Sequence, residues 1–447
     1  VSISVSQRSV SQRYVDACLA GTGELRHAVA RAPLPPALAR LFRANLLPRP
    51  WFVQRSGVEA FAGELVDFFD LLVSLPQRLF DGDLDRYCAA VGVDERSAAL
   101  LRRGSTGRPT LLGRADVYHD GAEYKLLEFN LGSELGGLDM PGTNRALLRV
   151  PEFKAFADDN ELDYVDTTSR LATGIRRAGA TVTSDEPVVA LLEDNGSMAK
   201  FGPWHVALRE ALARFGLHIR LGEIGDVGRH PGKVTLRGEP VDVVIRNFSV
   251  RQIVQDPRAE AALQPILRAH DEGLTALYTT LDSGLFSNKG ALALLSDSRS
   301  RAEFSARELA LVDRVLPWTR TLDEYTTADL LDYCEEHRTE LILKPRIGSS
   351  GTDMFVGWET SEPAWREALR ACTRRGYIAQ ARVFAKPEPV CDPDTGAVED
   401  WSAVLGIYVD DDGYAGTYAR ALPTPEATVI ARSTNARTRA MGVFSHP

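Results

Sequence analysis

An acid and an amide fall two apart in "YKLLEFNLGSELGG" (residues 124–137), a segment that otherwise reads as a strand. Side chains two apart on a strand share a face, so Tyr124, Leu126, Glu128 and Asn130 point one way and Lys125, Leu127 and Phe129 the other. A carboxylate beside an amide oxygen is the kind of hard donor pair that magnesium takes alongside substrate phosphates. A strand end entering a turn would account for the same residues without chemistry, because Asn and Gly favour turns. Just upstream, "GRADVYHDGAEYKLLEFN" adds Arg114 and Asp116, again two apart. A three- or five-residue loop centred on Gly121 would set Arg114 opposite Glu128, with Asp116 beside it, all on the face of Asn130. A two-residue Asp120-Gly121 turn would send Asp116 to the other face. A surface hairpin with an ordinary cross-strand ion pair is the plain alternative.

Two lysines stand where an anion would suit them. In "LILKPRIGSSGTDMFVG", Lys344 ends a strand just before a Gly/Ser loop. Flexible backbone N–H groups beside a fixed ammonium are what covering a triphosphate requires, although a short polar hairpin looks similar. In "GLFSNKGALALLSD", Ser287 is placed to cap a helix and so puts Lys289 in its first turn. The helix dipole disfavours a cation there, and a bound anion would offset that penalty. An exposed lysine reads equally well from this segment alone.

Such residues need elements to hold them. Residues 1–105 read as mainly helical, with Pro-rich breaks at "RAPLPPALARL" and "LLPRPW" and an apolar stretch in "VEAFAGELVDFFDLLVSLPQRLF". Strands are expected at 110–118 and 123–130. "EPVVALLEDNG" is the continuous apolar run of a buried parallel strand, and a helix should follow with Phe201, Trp204, Leu208, Leu212 and Phe215 on one stripe, stopped at Gly216. With "LHIRLGEI" and "PVDVVIRNFSV" this makes an open α/β layer of domain size. A helix, a mixed segment and the strands "ELILKPRIG", "GYIAQARV" and "SAVLGIYVD" follow from about 286.

The 447 residues, 44% hydrophobic, suffice for two or three domains. A net charge of −9, with no run of Lys or Arg, argues against a nucleic-acid surface. Five cysteines lie far apart with neither a CxxC nor a His at ligand spacing, which fits a reducing cytosol. No signal pattern and no long apolar run appear, so a cytoplasmic protein without membrane partners is expected.

Taken in order, these segments resemble the circularly permuted ATP-grasp ligases, the group that includes glutathionylspermidine synthetase and eukaryotic-type glutathione synthetase. The resemblance is carried by "RAD" before "LLEFN", "GG" in "SELGGLD", "VDVVIRNF", "SNK", "LKPRIGSSG", "YIAQ" and "GTYAR", and it spans about 110–447. It implies an α/β (α+β) fold: a helical region over 1–105, a first part of the ATP-grasp core over 106–185, an inserted α/β substrate domain over 186–285, and the ATP-binding lid with the rest of the core over 286–447. It also implies that Asp116, Glu128 and Asn130 hold Mg²⁺ and that Arg114 stabilises the transferring phosphoryl group. Lys289 and Lys344 would contact ATP, the loop Gly348, Ser349, Ser350 and Gly351 would cover it, and the backbone near Gln380 would meet adenine. Ser133 and Arg246 correspond to substrate-binding positions, and Arg420 to an arginine near acceptor or phosphate. The loop is Ser/Gly where glutathione synthetases carry Glu-Gly-Gly. Ala421 and Leu422 stand where those enzymes have a lysine, and Cys18 has no candidate histidine near it in sequence, which speaks against glutathione or glutathionylspermidine as product.

The implied reaction is amide or peptide bond formation between a small-molecule or peptide carboxylate and an amine, through an acyl phosphate, with secondary-metabolite synthesis as the expected setting. A homodimer is compatible with this. Two alternatives share the fold: a ligase that loads a carrier-protein thiol, and a nucleotide-binding protein without turnover.

Overall fold

The computed structural model describes residues 8–20, 23–103, 107–230, 232–348, 353–426 and 429–447. The first hundred residues are mostly helical. The longest helix, Arg55–Phe80, buries Val58, Phe61, Leu65, Phe68 and Leu72 at intervals of three to four residues, the stripe a core-facing helix needs. One strand, β1 (Trp51–Gln54), lies among these helices. The hairpin β2 (Leu112–His119) and β3 (Tyr124–Leu131) follows. Next come β4 (Val189–Glu193), β5 (Ile219–Glu223), β6 (Val227–His230), β7 (Lys233–Leu236), β8 (Glu239–Val241), β9 (Val243–Arg246) and β10 (Ala276–Tyr278). After them stand β11 (Thr319–Leu322), β12 (Leu341–Pro345), β13 (Phe355–Val356) and β14 (Tyr377–Ala381). The chain closes with β15 (Glu388–Cys391), β16 (Val398–Asp410), β17 (Gly413–Pro423) and β18 (Arg439–His446).

These strands form three layers and one small flap. The central sheet runs β1-β18-β17-β16-β2-β3, with β15 also on β16. The helical region therefore supplies an edge strand to the core: β1 pairs with β18 in parallel, Trp51 beside Val443. The second layer, β10-β9-β4-β5, is parallel throughout, and all five residues of β4 are buried, as a strand covered on both faces requires. The chain leaves β4 for β5 on one side while β9 pairs on the other, so the sheet has a topological switch point at β4/β9. The flap β6-β7-β8 is antiparallel and was not foreseen from the sequence.

The third layer, β11-β14-β12-β13, is antiparallel. It has its own small core around Leu343, Trp365, Cys372 and Tyr377, whereas a single larger core joins the helical region, the central sheet and the parallel layer. The helix Met198–Ala213 departs from its expected stripe. Leu208 and Leu212 are buried, but Phe201 is only partly so and Trp204 is 44% exposed. No described helix is long and apolar enough to cross a membrane.

Candidate active site

The hairpin brings the predicted residues to one face by a different register. Asp116 lies opposite Glu128 and Arg114 opposite Asn130. The connecting loop, Asp120–Glu123, has four residues, held by Asp120 Oδ1 accepting from the N–H groups of Ala122 and Glu123. An even loop alone would turn Asp116 to the wrong face. A bulge that leaves Leu127 unpaired, between Glu128 opposite Asp116 and Leu126 opposite Val117, restores the phase. The expected pairing of Arg114 with Glu128 over an odd loop is thus corrected, while the shared face stands.

That face forms one wall of a cavity of about 670 Å³ closed on the other side by the β11–β14 layer, and Arg114, Asp116, Glu128, Asn130, Lys289, Lys344, Gly348, Gln380 and Arg420 all line it. Arg114 grips Asp116 with two bonds, Nε to Oδ1 at 2.8 Å and Nη2 to Oδ2 at 3.1 Å, and donates to Gly136 O at 3.1 Å. Arg420 Nη2 reaches Asp116 Oδ2 at 2.9 Å. Burial pushes the Asp116 carboxyl up, but the two guanidiniums outweigh it and hold the group below the usual carboxylate range. The "GG" motif serves this arrangement. Gly137 has φ +87°, and a Cβ there would meet the Tyr408 hydroxyl at 2.8 Å, the group that donates to Gly136 O at 2.6 Å.

The lysines come from two other elements. Lys289 begins the helix Lys289–Ser296, whose cap is Asn288, its side chain accepting from Ala291 N–H, and not Ser287 as expected. Ser287 Oγ accepts from Leu131 N–H instead. Lys289 Nζ donates to Glu128 Oε1 at 2.8 Å and to Gly348 O at 2.9 Å. Lys344, at the end of β12, donates to Gln380 Oε1 at 2.7 Å, and Gln380 in turn donates to Thr319 Oγ1 at 3.2 Å. Burial, with Lys289 nearby, depresses the Lys344 ammonium to about 8. Gln380 is buried and occupied with positioning this lysine. Ser349, Ser350 and Gly351 lie outside the described residues.

The loop base is braced from the helical region. Arg346 O accepts from Lys289 N–H, and Arg346 Nη1 donates to Ala90 O at 3.0 Å. A Cβ on Gly290 would lie 2.5 Å from Val91 O, so only glycine lets these segments close.

A second cavity of about 670 Å³ shares Glu128, Asn130, Glu134 and Gly348 with the first and extends to the β4/β9 switch point, where parallel sheets commonly take ligands. Arg246 lines it but is spoken for: it bonds Glu134 Oε1 at 2.7 Å, Phe248 O at 2.6 Å and Thr279 O at 3.1 Å. Ser133 lines neither cavity. Its buried hydroxyl donates to Arg246 O and accepts from Thr279 N–H.

Several residues beyond the predicted set join the site. Glu134 pairs with Arg246 at the junction of the cavities. Glu193 Oε1 meets His205 Nε2 at 2.6 Å and accepts from Asn247 at 2.8 Å. Arg382 lies 3.9 Å from the ring centre of Trp358 and 4.3 Å from that of Phe384, an aromatic end to the first cavity.

No protein-family model matches the chain, and no curated protein matches it. Among solved structures, it is similar to a glutathione synthetase-like effector from Globodera pallida in its apo form, at 13% identity and TM-score 0.56, covering 98% of this chain and 96% of that one. It is also similar to a candidate gamma-glutamylcysteine synthetase from Methylobacillus flagellatus, at 15% identity and TM-score 0.44, covering 83% and 87%. A further similarity is to the ATP-grasp ligase PsnB complexed with minimal precursor, Mg and ADP, at 12% identity and TM-score 0.25, covering 57% and 88%. The second and third superimpose too loosely to carry an argument; the first, nearly end to end, shows the fold. The chain has the fold of that glutathione synthetase-like protein.

Proposed function

We propose that the protein is a circularly permuted ATP-grasp ligase that joins a carboxylate to an amine through an acyl phosphate, releasing ADP and phosphate. One observation carries the reading. Four cationic side chains from four separate elements (Arg114, Lys289, Lys344, Arg420) converge on a wall with two carboxylates, Asp116 and Glu128, and the surplus of two positive charges suits a polyphosphate. In this reading the base lies at the end bearing Trp358 and Arg382, and the phosphates lie toward Lys289 and Lys344.

The donor set also fits magnesium. The Glu128 carboxylate and the Asn130 amide are hard oxygen donors side by side. Both Asp116 oxygens already accept from guanidinium groups, so Glu128 and Asn130 would be the principal ligands and Asp116 chiefly the organiser of Arg114 and Arg420. The ion would supply neutralisation of phosphate charge.

The rest falls to this chain's own groups. A substrate carboxylate oxygen attacks the γ-phosphorus as the bond to the ADP oxygen breaks. Arg114 and Arg420 face the charge that develops, fixed in advance by Asp116 so that no reorganisation is needed in the transition state. A neutral amine then attacks the acyl carbon, phosphate leaves, and the nitrogen sheds its proton to solvent. No covalent protein nucleophile is required.

Purified protein with ATP, Mg²⁺ and a panel of amino acids and short peptides should release ADP and phosphate, and ¹⁸O in the substrate carboxylate should appear in that phosphate. AMP and pyrophosphate as products, or label retained wholly in the amide, would overturn the acyl-phosphate route.

A further inference from the structure

The second cavity is built for a substrate with its own charge pattern. One end opens onto the proposed phosphate site through Glu128, Asn130 and Gly348. Leu135, Leu138, Phe201, Trp204, Leu208 and Val250 give it an apolar wall, and the exposure of Trp204 is explained by its place there.

Among these apolar groups stands Asp139. It is 6% exposed and lines the cavity, and its Oδ2 has no hydrogen-bond partner among the described residues. Burial pushes its carboxyl up to about 6, so above that pH it is an ionised group without a counter-ion. Only its own backbone N–H and, through space, His205 favour the ionised form; no side chain pairs with it, since His205 Nε2 meets Glu193, Arg246 pairs with Glu134, and the Tyr408 hydroxyl donates to Gly136. Nor does the carboxylate cap the following turn, where Gly142 N–H bonds the Asp139 carbonyl. A buried carboxylate left alone costs stability unless a cation joins it. The reacting amine must be neutral, so a cation held on Asp139, which lines the second cavity and not the first, is not the attacking group.

We infer that this cavity takes a zwitterionic carboxylate donor, an amino acid or short peptide with an apolar side chain, its carboxylate toward Gly348 and its non-reacting ammonium on Asp139. The inference rests on the ligase reading above and narrows its substrate.

Calorimetry at pH 8 with Mg²⁺ and a non-hydrolysable ATP analogue tests it with matched probes: L-leucine against 4-methylpentanoate, L-phenylalanine against 3-phenylpropanoate, and L-leucyl-L-leucine against its N-acetyl form. At least one charged member should bind about tenfold or more tightly than its partner. Asp139→Asn should bring that ratio to about one without lowering melting temperature or altering nucleotide affinity, whereas Trp204→Ala should weaken both members alike. Equal binding within every pair, no binding of any probe, or a ratio that survives Asp139→Asn would overturn the inference. Because the analogue is titrated separately, protein that shows the probe ratio but fails to bind nucleotide would sink the ligase reading and leave the amino pocket standing.

Discussion

Two cavities of about 670 Å³ meet at Glu128, Asn130, Glu134 and Gly348, yet their polar groups are arranged in opposite ways. In the first, each carboxylate is matched to cations before any ligand arrives: Asp116 to two arginines, Glu128 to Lys289. In the second, the strong groups are either withdrawn from use, as Arg246 is by Glu134, or left alone, as Asp139 is. A polyphosphate presents the same charges in every turnover, so its site can be assembled in advance from paired groups. A site that must choose one donor among many gains by leaving a specific group unsatisfied, since only a ligand bearing the complement removes the penalty.

The sharpest way to break this contrast is to remove a paired group from the first cavity. Arg114→Ala should lower turnover by roughly 10²–10³, the scale for a group placed at developing charge, while ATP affinity falls much less. Equal losses in steady-state turnover and in directly titrated ATP affinity would make Arg114 a binding residue only.

Next in size is Lys344→Ala, which should weaken ATP binding by roughly 1.5–3 kcal/mol, the worth of a charge-assisted contact. Because the folded-state ammonium titrates near 8, the contact is fully charged below that pH and lost above it. Wild-type ATP affinity should therefore fall by up to about tenfold per pH unit beyond 8, and Lys344→Arg should flatten the profile. A wild-type profile already flat from pH 7 to 9 would remove Lys344 from the phosphate contacts.

The smallest effect sharpens the boundary between the cavities. Ser133→Ala leaves the Thr279 N–H without its acceptor and should cost roughly 1–3 kcal/mol in denaturant unfolding. Nucleotide affinity and the amino-probe ratio should stay unchanged. A change in either would return Ser133 to the substrate contacts.

The first cavity was far more legible than the second, for a reason of geometry. Arg114 and Asp116, and Glu128 and Asn130, sit two apart on single strands, so local spacing alone places them on a face. Even there the parity came out through an even loop and a bulge at Leu127 that no residue pattern announced. Lys289 was correctly set at a helix start, but Asn288 won the cap because the Ser287 hydroxyl was already holding β3. The second cavity draws Asp139 and Val250 from segments apart from the helix Met198–Ala213 that supplies Phe201 and Trp204. Phe201 and Trp204 looked like core residues because an apolar stripe facing a cavity reads the same as one facing a core. Asp139 closes the segment "SELGGLD", but nothing in that segment marks it as unpaired, since being unpaired is a property of its surroundings. The β1 edge strand was hidden because four residues among helices give too short a pattern to register.

That edge strand also sets a timetable. β1 can take its place only beside β18, so during synthesis the residues around Trp51 must wait until those around Val443 have been made. The parallel layer β4-β5-β9-β10 draws on a much shorter span and can close while the ribosome is still at work. The central sheet that carries Arg114, Asp116, Glu128 and Arg420 is then completed after the parallel layer, and long-range pairing of this kind is slow. Chains halted before β18 would hold a finished parallel layer and a central sheet still lacking its β1–β18 pair, leaving the apolar flank of the long helix Arg55–Phe80 for chaperones to shield.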